Sequence, residues 1–159
     1  MNAFKVRLAS ISDLAALSII EDASFAAPYP PSLLERLMKD CPASFFVATQ
    51  ESGELVGYCV SSLGRNSAHL ISVAVRTGFR REGIATMLLR RTIDFLVAHS
   101  VVEFWLEVNP KNKAAIALYA KIGFEKTGIL KGYYSDGADA MTMRLITSSS
   151  SSNLAKGGN

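Results

Sequence analysis

The 159-residue sequence predicts an α/β protein, one mixed central sheet of about seven strands flanked by about four helices. Three observations predict it. Segments of strand character interleave with segments at helical spacing, in the order strand, helix, helix, three strands, helix, strand, helix, two strands. The length supports one well-cored domain and is short for two. With 49% hydrophobic and 19% charged residues, the composition is that of an ordinary globular chain.

"FKVRLA" (Phe4 to Ala9) reads as the first strand. Ser10 heads "SISD", where Asp13 completes a capping-box variant that opens an amphipathic helix. Leu14, Leu17 and Ile20 form the apolar stripe of that helix, and it fades where Glu21 and Asp22 bring charge. The proline-rich "AAPYPPS" is a loop, and Pro31 or Ser32 starts a second short helix through Lys39. "SFFVAT" and "ELVGYCVSSL" flank the turn "QESG" as a hairpin. "SAHLISVAV" (Ser67 to Val75) is a mostly apolar strand, and Gly83 to Ala98 carries helical periodicity. "VEFWLEV" (Val102 to Val108) is a strand, "NKAAIALYAKI" (Asn112 to Ile122) a helix, and "GFEKTGIL" with "DAMTMRLI" a closing antiparallel pair. Residues 1–147 thus make one domain; residues 148–159 are a Ser/Gly-rich tail with little to bury, expected to be disordered.

The net charge of +3 permits an anionic ligand but lacks the dense basic face of a nucleic-acid binder. Cys41 and Cys59 have no spacing for a metal and read as reduced thiols. The N-terminal "MNAFKVRLAS" has no apolar signal-peptide core, and no apolar run approaches the roughly 20 residues that span a bilayer. These features place the chain in the cytoplasm, without a metal, a membrane or a nucleic acid as partner.

The most informative stretch is "AVRTGFRREGIATMLL" (Ala74 to Leu89), where an apolar strand gives way to an apolar helix through three arginines and two glycines. The first amides of a helix lack internal partners, and the helix dipole adds partial positive charge there. Gly83 lets a ligand approach the backbone, and Arg76, Arg80 and Arg81 supply charge with phosphate geometry. Together these make a pyrophosphate cradle. A solvated basic turn capping a core helix explains the same residues. The stretch is neither a P-loop nor a dinucleotide fingerprint, since both the Gly-Lys-Ser/Thr ending and the triple-glycine spacing are missing.

"VAVRTGFRREGIATMLL" resembles the acyl-CoA-binding motif of the GNAT superfamily of N-acetyltransferases, with Arg80, Gly83 and Ala85 at its defining positions. "LEVNPKNKAAIALYAKIGF" (Leu106 to Phe124) is similar to RimI-like amino-terminal acetyltransferases. "LKGYYSDGADAMTM" (Leu130 to Met143) looks like the C-terminal hairpin of those enzymes and of archaeal relatives of the NatA catalytic subunit. The resemblance covers roughly residues 4–146. It implies a GNAT fold with a V-shaped splay between the fourth and fifth strands, and acetyl-CoA as cofactor.

Residue by residue, the resemblance implies that Val73, Ala74 and Val75 pair with the pantetheine arm, that Arg81, Glu82, Gly83, Ile84, Ala85 and Thr86 hold the pyrophosphate, and that Arg80 is also cofactor-binding. Asn112 matches a cofactor-contacting asparagine; as residues alone, it reads equally as a helix N-cap. Tyr119 matches the tyrosine acid that meets the departing sulfur, and Glu107 the general base. His69 matches a histidine beside the active site of archaeal relatives, and imidazole suits base work. Whether Glu107 or His69 takes the proton, and whether water relays it, stays open. Those relatives also carry an acid in the loop before the second helix, whereas "FAAPYP" has none.

Phe25 and Tyr29 in that loop, with Tyr133 and Tyr134 in "GYYSDG", match the residues that frame a peptide N-terminus. An α-amine is about a tenth neutral at pH 7, while lysine offers less than about a thousandth, so a modest base suffices for the former. The expected partner is a protein or peptide N-terminus, with an auxiliary subunit or a homo-oligomer left open. Two alternatives stand beside it: a small-molecule amine acetyltransferase, for which Asp136 and Asp139 are the acids at hand, and a non-catalytic acyl-CoA-binding module.

Overall fold

The computed structural model describes residues 3–147, so the expected tail at 148–159 lies outside the described residues. Seven strands alternate with four α-helices: β1 (Phe4–Leu8), α1 (Leu14–Ser24), α2 (Pro31–Asp40), β2 (Phe45–Gln50), β3 (Leu55–Leu63), β4 (Ser67–Val75), α3 (Ile84–Ala98), β5 (Glu103–Val108), α4 (Lys113–Ile122), β6 (Glu125–Leu130) and β7 (Ala140–Ile146). The strand order is β1-β2-β3-β4-β5-β7-β6. β4 and β5 run parallel, while β1/β2, β2/β3, β5/β7 and β6/β7 run antiparallel, so the sheet is mixed as the element order predicts.

The described residues divide into two compact units, residues 3–63 with 71–95 and residues 64–70 with 96–147. In the first, β2 and β3 are buried almost end to end, the signature of strands covered on both faces. Alternation explains how. Phe45, Val47, Tyr58 and Val60 join Leu17 and Ile20 of α1 and Leu34 of α2 in one apolar cluster. Phe46, on the other face of β2, meets Phe95 of α3 edge-on and lies 4.9 Å under the Arg91 guanidinium. Each such side chain contributes about 1.5–3 kcal/mol by leaving water.

The approach to α1 differs in detail from a simple capped helix. Ile11–Asp13 form a 3-10 turn that runs into α1 at Leu14. The Ser10 amide donates to Asp13 Oδ2 at 2.8 Å, and Arg7 clamps both carboxylate oxygens at 2.8 Å. The tighter turn aims Asp13 back at β1, where the arginine waits. Gly57 on β3 has a packing role: a Cβ there would stand 3.0 Å from the Ala74 carbonyl oxygen and 3.3 Å from Ile84 Cγ2. Its absence lets β4 and the first turn of α3 sit close over β3.

In the second unit, β5 alternates strictly, with Phe104, Leu106 and Val108 buried and Glu103, Trp105 and Glu107 half-buried. Phe104 and Tyr119 both pack on Phe124, at 5.4 and 5.8 Å between ring centroids. That contact seats α4 on the apolar face of the strand pair.

Candidate active site

The candidate residues fall into two groups, one in each unit. In the first unit, β4 delivers Val73, Ala74 and Val75 directly into the turn that precedes α3. The turn bends through positive φ at Gly78 (97°), Arg81 (64°) and Gly83 (81°). At Gly83 a Cβ would meet nothing within 4 Å, so backbone conformation rather than crowding selects glycine, and the space above it is open. A non-glycine residue in the left-handed region, as at Arg81, is uncommon and costs of order 1 kcal/mol. The first helical bond runs from the Met87 amide to the Gly83 carbonyl at 3.0 Å. The amides of Ile84, Ala85 and Thr86 therefore precede the helical ladder and point out of the helix end. Buried Ile84, Leu88 and Leu89 anchor that end to the core.

The three arginines of this turn are not equivalent. Arg76 forms an ion pair with Glu54. Arg80 Nε donates to the Val75 carbonyl at 3.1 Å, which pins the turn to the strand end. Arg81 and Glu82 are exposed, and among the described residues neither makes an ion pair. Arg81 is thus the cation of the three least committed within the chain. A helix end with unfilled amides, a glycine with open space above it and an uncommitted guanidinium fit a pyrophosphate.

In the second unit, β4 and β5 align His69 with Trp105, and the period of two puts Glu107 on the same face as Trp105. The rings of His69 and Trp105 stack at 3.9 Å between centroids, 14° from coplanar. His69 Nε2 lies 2.6 Å from Glu107 Oε2, with the two side chains 27% and 11% exposed. The two residues that the sequence offers as rival bases are therefore hydrogen-bonded to each other. An ionised carboxylate only accepts, so against Glu107 in that form Nε2 is the donor. Trp105 fixes the ring plane.

Asn112 caps α4, its side-chain oxygen accepting from the Ala115 amide at 3.2 Å. Tyr119 is buried, at 7% exposure, on the helix face that packs against Phe124.

The loops that the resemblance assigns to the acceptor are built differently from each other. Phe25 is exposed and Tyr29 half-buried in the 25–30 loop. That loop has no acid of its own, and the carboxylate that meets it is Glu21, whose Oε1 accepts from the Tyr29 amide at 3.0 Å. In the other loop Tyr133 and Tyr134 stand edge to face at 5.0 Å. Asp136 accepts from the Ala138 amide at 2.9 Å, and Asp139 accepts from the Gly132 amide at 3.0 Å and from Lys131 Nζ at 3.1 Å. The Gly132 amide, and after it Lys131, hold the Asp139 carboxyl below the usual carboxylate range. Both acids are spent on closing their own loop.

Glu21 is the residue that sequence reading passed over. In the sequence it stands as the charge that ends the α1 stripe, yet it is 2% exposed, while the adjacent Asp22 is exposed. The signal was present: Leu14, Leu17 and position 21 continue one helical stripe, so the carboxylate faces inward.

The sequence model of the acetyltransferase (GNAT) family matches residues 14–124. The chain belongs to the GNAT family. Among relatives of this GNAT acetyltransferase, an N-alpha-acetyltransferase of Sulfolobus acidocaldarius is 33% identical over 154 residues, covering 88% of this chain and 90% of the relative. The N-alpha-acetyltransferase RimI of Mycobacterium tuberculosis is 37% identical, with 74% of this chain and 75% of the relative covered. The solved structure of Ard1 from Thermoplasma volcanium superposes with a TM-score of 0.87 at 33% identity, over 91% of this chain and 98% of that one. The GNAT chain is an N-acetyltransferase by this membership. Among its described residues no helix is long and apolar enough to cross a membrane.

Proposed function

We propose that this GNAT enzyme transfers the acetyl group of acetyl-CoA to the N-terminal α-amine of proteins, with Glu107 as base and Tyr119 as acid. The observation that carries the reading is the His69–Glu107 hydrogen bond at 2.6 Å, on a carboxylate 11% exposed. It supports one proton-accepting unit in place of two competing bases. Acetyl-CoA supplies the acetyl thioester. The amides of Ile84, Ala85 and Thr86, with Arg81, bind the pyrophosphate, and the backbone of Val73–Val75 lines up the arm. Arg80 and Glu82 stand with them in the cofactor-binding turn, which Arg80 also pins to the Val75 carbonyl, and Asn112 both caps α4 and contacts the cofactor.

Glu107 Oε2 is occupied by His69, so Oε1 takes the proton shed by the amine, directly or through one water. His69 holds that carboxylate in place and takes up part of the charge change through the shared proton. Tyr119 hydrogen-bonds the departing sulfur and supplies its proton. Phe25 and Tyr29 form the pocket for the substrate's first side chain, and Tyr133 and Tyr134 bond its backbone. The relatives named for N-alpha or ribosomal-protein alanine acetylation support this acceptor.

The test is thiol release from acetyl-CoA with peptides beginning Met, Ser and Ala and an N-blocked lysine peptide, run with Glu107→Gln and Tyr119→Phe. Turnover restricted to free N-termini and lost in both variants is expected. Tight CoA binding with no turnover of any peptide would overturn the reading.

A further inference from the structure

Two acidic side chains are buried among the described residues, Asp13 and Glu21. Asp13 is balanced by Arg7. Glu21 has no such partner: among the described residues it makes no ion pair, and at 2% exposure it sits beside the apolar cluster of Leu17, Ile20 and Tyr58. A leucine there would continue the α1 stripe without desolvating a charge. The function of the carboxylate is therefore to be sought in what it holds.

It holds two things. Oε1 accepts from the Tyr29 amide at 3.0 Å, and Oε2 accepts from the Tyr58 hydroxyl. Tyr58 in turn lies 3.0 Å from Ser72 Oγ. An ionised carboxylate only accepts, so the Tyr58 hydrogen faces Glu21 and the Ser72 hydroxyl donates to the Tyr58 oxygen. Burial and then the Glu21 hydrogen bond push the Tyr58 hydroxyl pKa upward, which keeps it a donor at any physiological pH. The result is a directed chain from the 25–30 loop through Glu21 and Tyr58 to Ser72, the residue before Val73 on β4.

Within the first unit, the Glu21 carboxylate takes hold of the middle of that loop's backbone. Its backbone bonds lie at its margins, from the Phe25 amide to the Glu21 carbonyl and from the Leu33 and Leu34 amides to the Pro30 carbonyl. Pro28 and Pro30 have no amide to offer. The Tyr29 amide is where a side chain outside the loop takes hold of it.

We propose that Glu21 is a positioning residue for the acceptor. It sets the shape of the 25–30 loop, and thereby the choice of the substrate's first residue, and the Tyr58–Ser72 relay ties that shape to the strand that lines the cofactor arm. This rests on the assignment of Phe25 and Tyr29 to the acceptor pocket made above. Glu21 touches neither reactant in this scheme; its effect passes through Tyr29 and Tyr58.

The experiment uses the full chain with Glu21→Leu, Glu21→Gln and Tyr58→Phe. Steady-state constants are measured on the Met, Ser and Ala peptides, beside amide hydrogen exchange at Tyr29 without substrate. Glu21→Leu is expected to raise peptide KM about tenfold or more and to compress the kcat/KM ratio between best and worst peptides several-fold. The KM for acetyl-CoA should stay within about twofold. The Tyr29 amide should exchange faster in the same variant. Glu21→Gln, whose amide oxygen still accepts from Tyr29, should recover most of the selectivity. Where Glu21→Leu is too unstable to purify, Tyr58→Phe should move the same ratio in the same direction by a smaller factor.

A uniform loss across all peptides with an unchanged ratio would overturn the proposal, as would unaltered exchange at Tyr29. No turnover of any peptide by the wild-type chain would sink the acceptor assignment and the selectivity role with it. Turnover with an unmoved Tyr29 amide would sink the role of Glu21 alone.

Discussion

Removing the carboxylate of Glu107 tests the chemistry most directly. Glu107→Gln keeps the side-chain volume and can still meet His69, but it cannot take a proton. Loss of a positioned general base typically costs 10²–10⁴ in rate, or about 3–5 kcal/mol at 1.36 kcal/mol per decade. The hydrogen bond to His69 at 2.6 Å places the two groups in one unit, so their effects should not add. His69→Phe preserves an aromatic ring over Trp105 while removing the nitrogen, and is expected to cost about tenfold on its own. The double variant should then lie close to Glu107→Gln alone, a coupling of about 1–1.5 kcal/mol. An α-amine is about a tenth neutral at pH 7 and almost wholly neutral at pH 9, so roughly a factor of ten should return to Glu107→Gln between these values. The assay is kcat/KM for a Met or Ala peptide across that range, at saturating acetyl-CoA. Activity of Glu107→Gln within about threefold of wild type at pH 7 would refute the reasoning. So would strict additivity of the two substitutions.

Gly57→Ala forces a Cβ to 3.0 Å from the Ala74 carbonyl, a backbone atom that cannot swing aside. It should destabilise by about 1–3 kcal/mol in urea unfolding and weaken CoA binding measured by calorimetry, because β4 carries Val73–Val75. Asp13→Asn breaks the clamp to Arg7, whose hydrogen bonds hold the Asp13 carboxyl below its ordinary range. A lowered folded pKa means the contribution is complete above about pH 4 and fades as pH falls through the folded value. The cost at pH 7 should be about 1–2 kcal/mol, discounted for a half-exposed guanidinium, and should shrink progressively in unfolding curves taken at pH values below about 4. Burial pushes the Cys59 thiol up to about 12 and raises that of Cys41, so neither should react with a disulfide reagent at pH 8 until denaturant is added.

Much of this was legible in the sequence because local periodicity and tertiary burial agree. The strict alternation of "EFWLEV" announces a one-face strand and puts Glu107 on the polar side, where the structure has it. The two-residue period of "SFFVAT" shows less, since both of its faces are covered and every residue looks like core. The turn after β4 could be read as an anion cradle from its glycines and arginines, but not which arginine is left over. That depends on Glu54, more than twenty residues away along the chain, reaching Arg76. The His69–Glu107 contact was illegible for the same reason: it joins two strands 38 residues apart, and single residues carry no trace of parallel register. The burial of Glu21 is hard to see in the sequence because acids belong to the surface by default, and only the stripe it continues says otherwise.

The outermost strands, β1 and β6, leave a rim of unpaired backbone groups that a foreign strand could in principle extend. The chain has blunted both. β1 is five residues long and carries Lys5 and Arg7. β6 is nearly bare of burial, opens with Glu125 and Lys126, and loses register between Lys126 and Gly128. A bulge and charged margins make a poor template for amyloid-like stacking, so this protein should tolerate crowding at high concentration without fibrillar growth along its sheet.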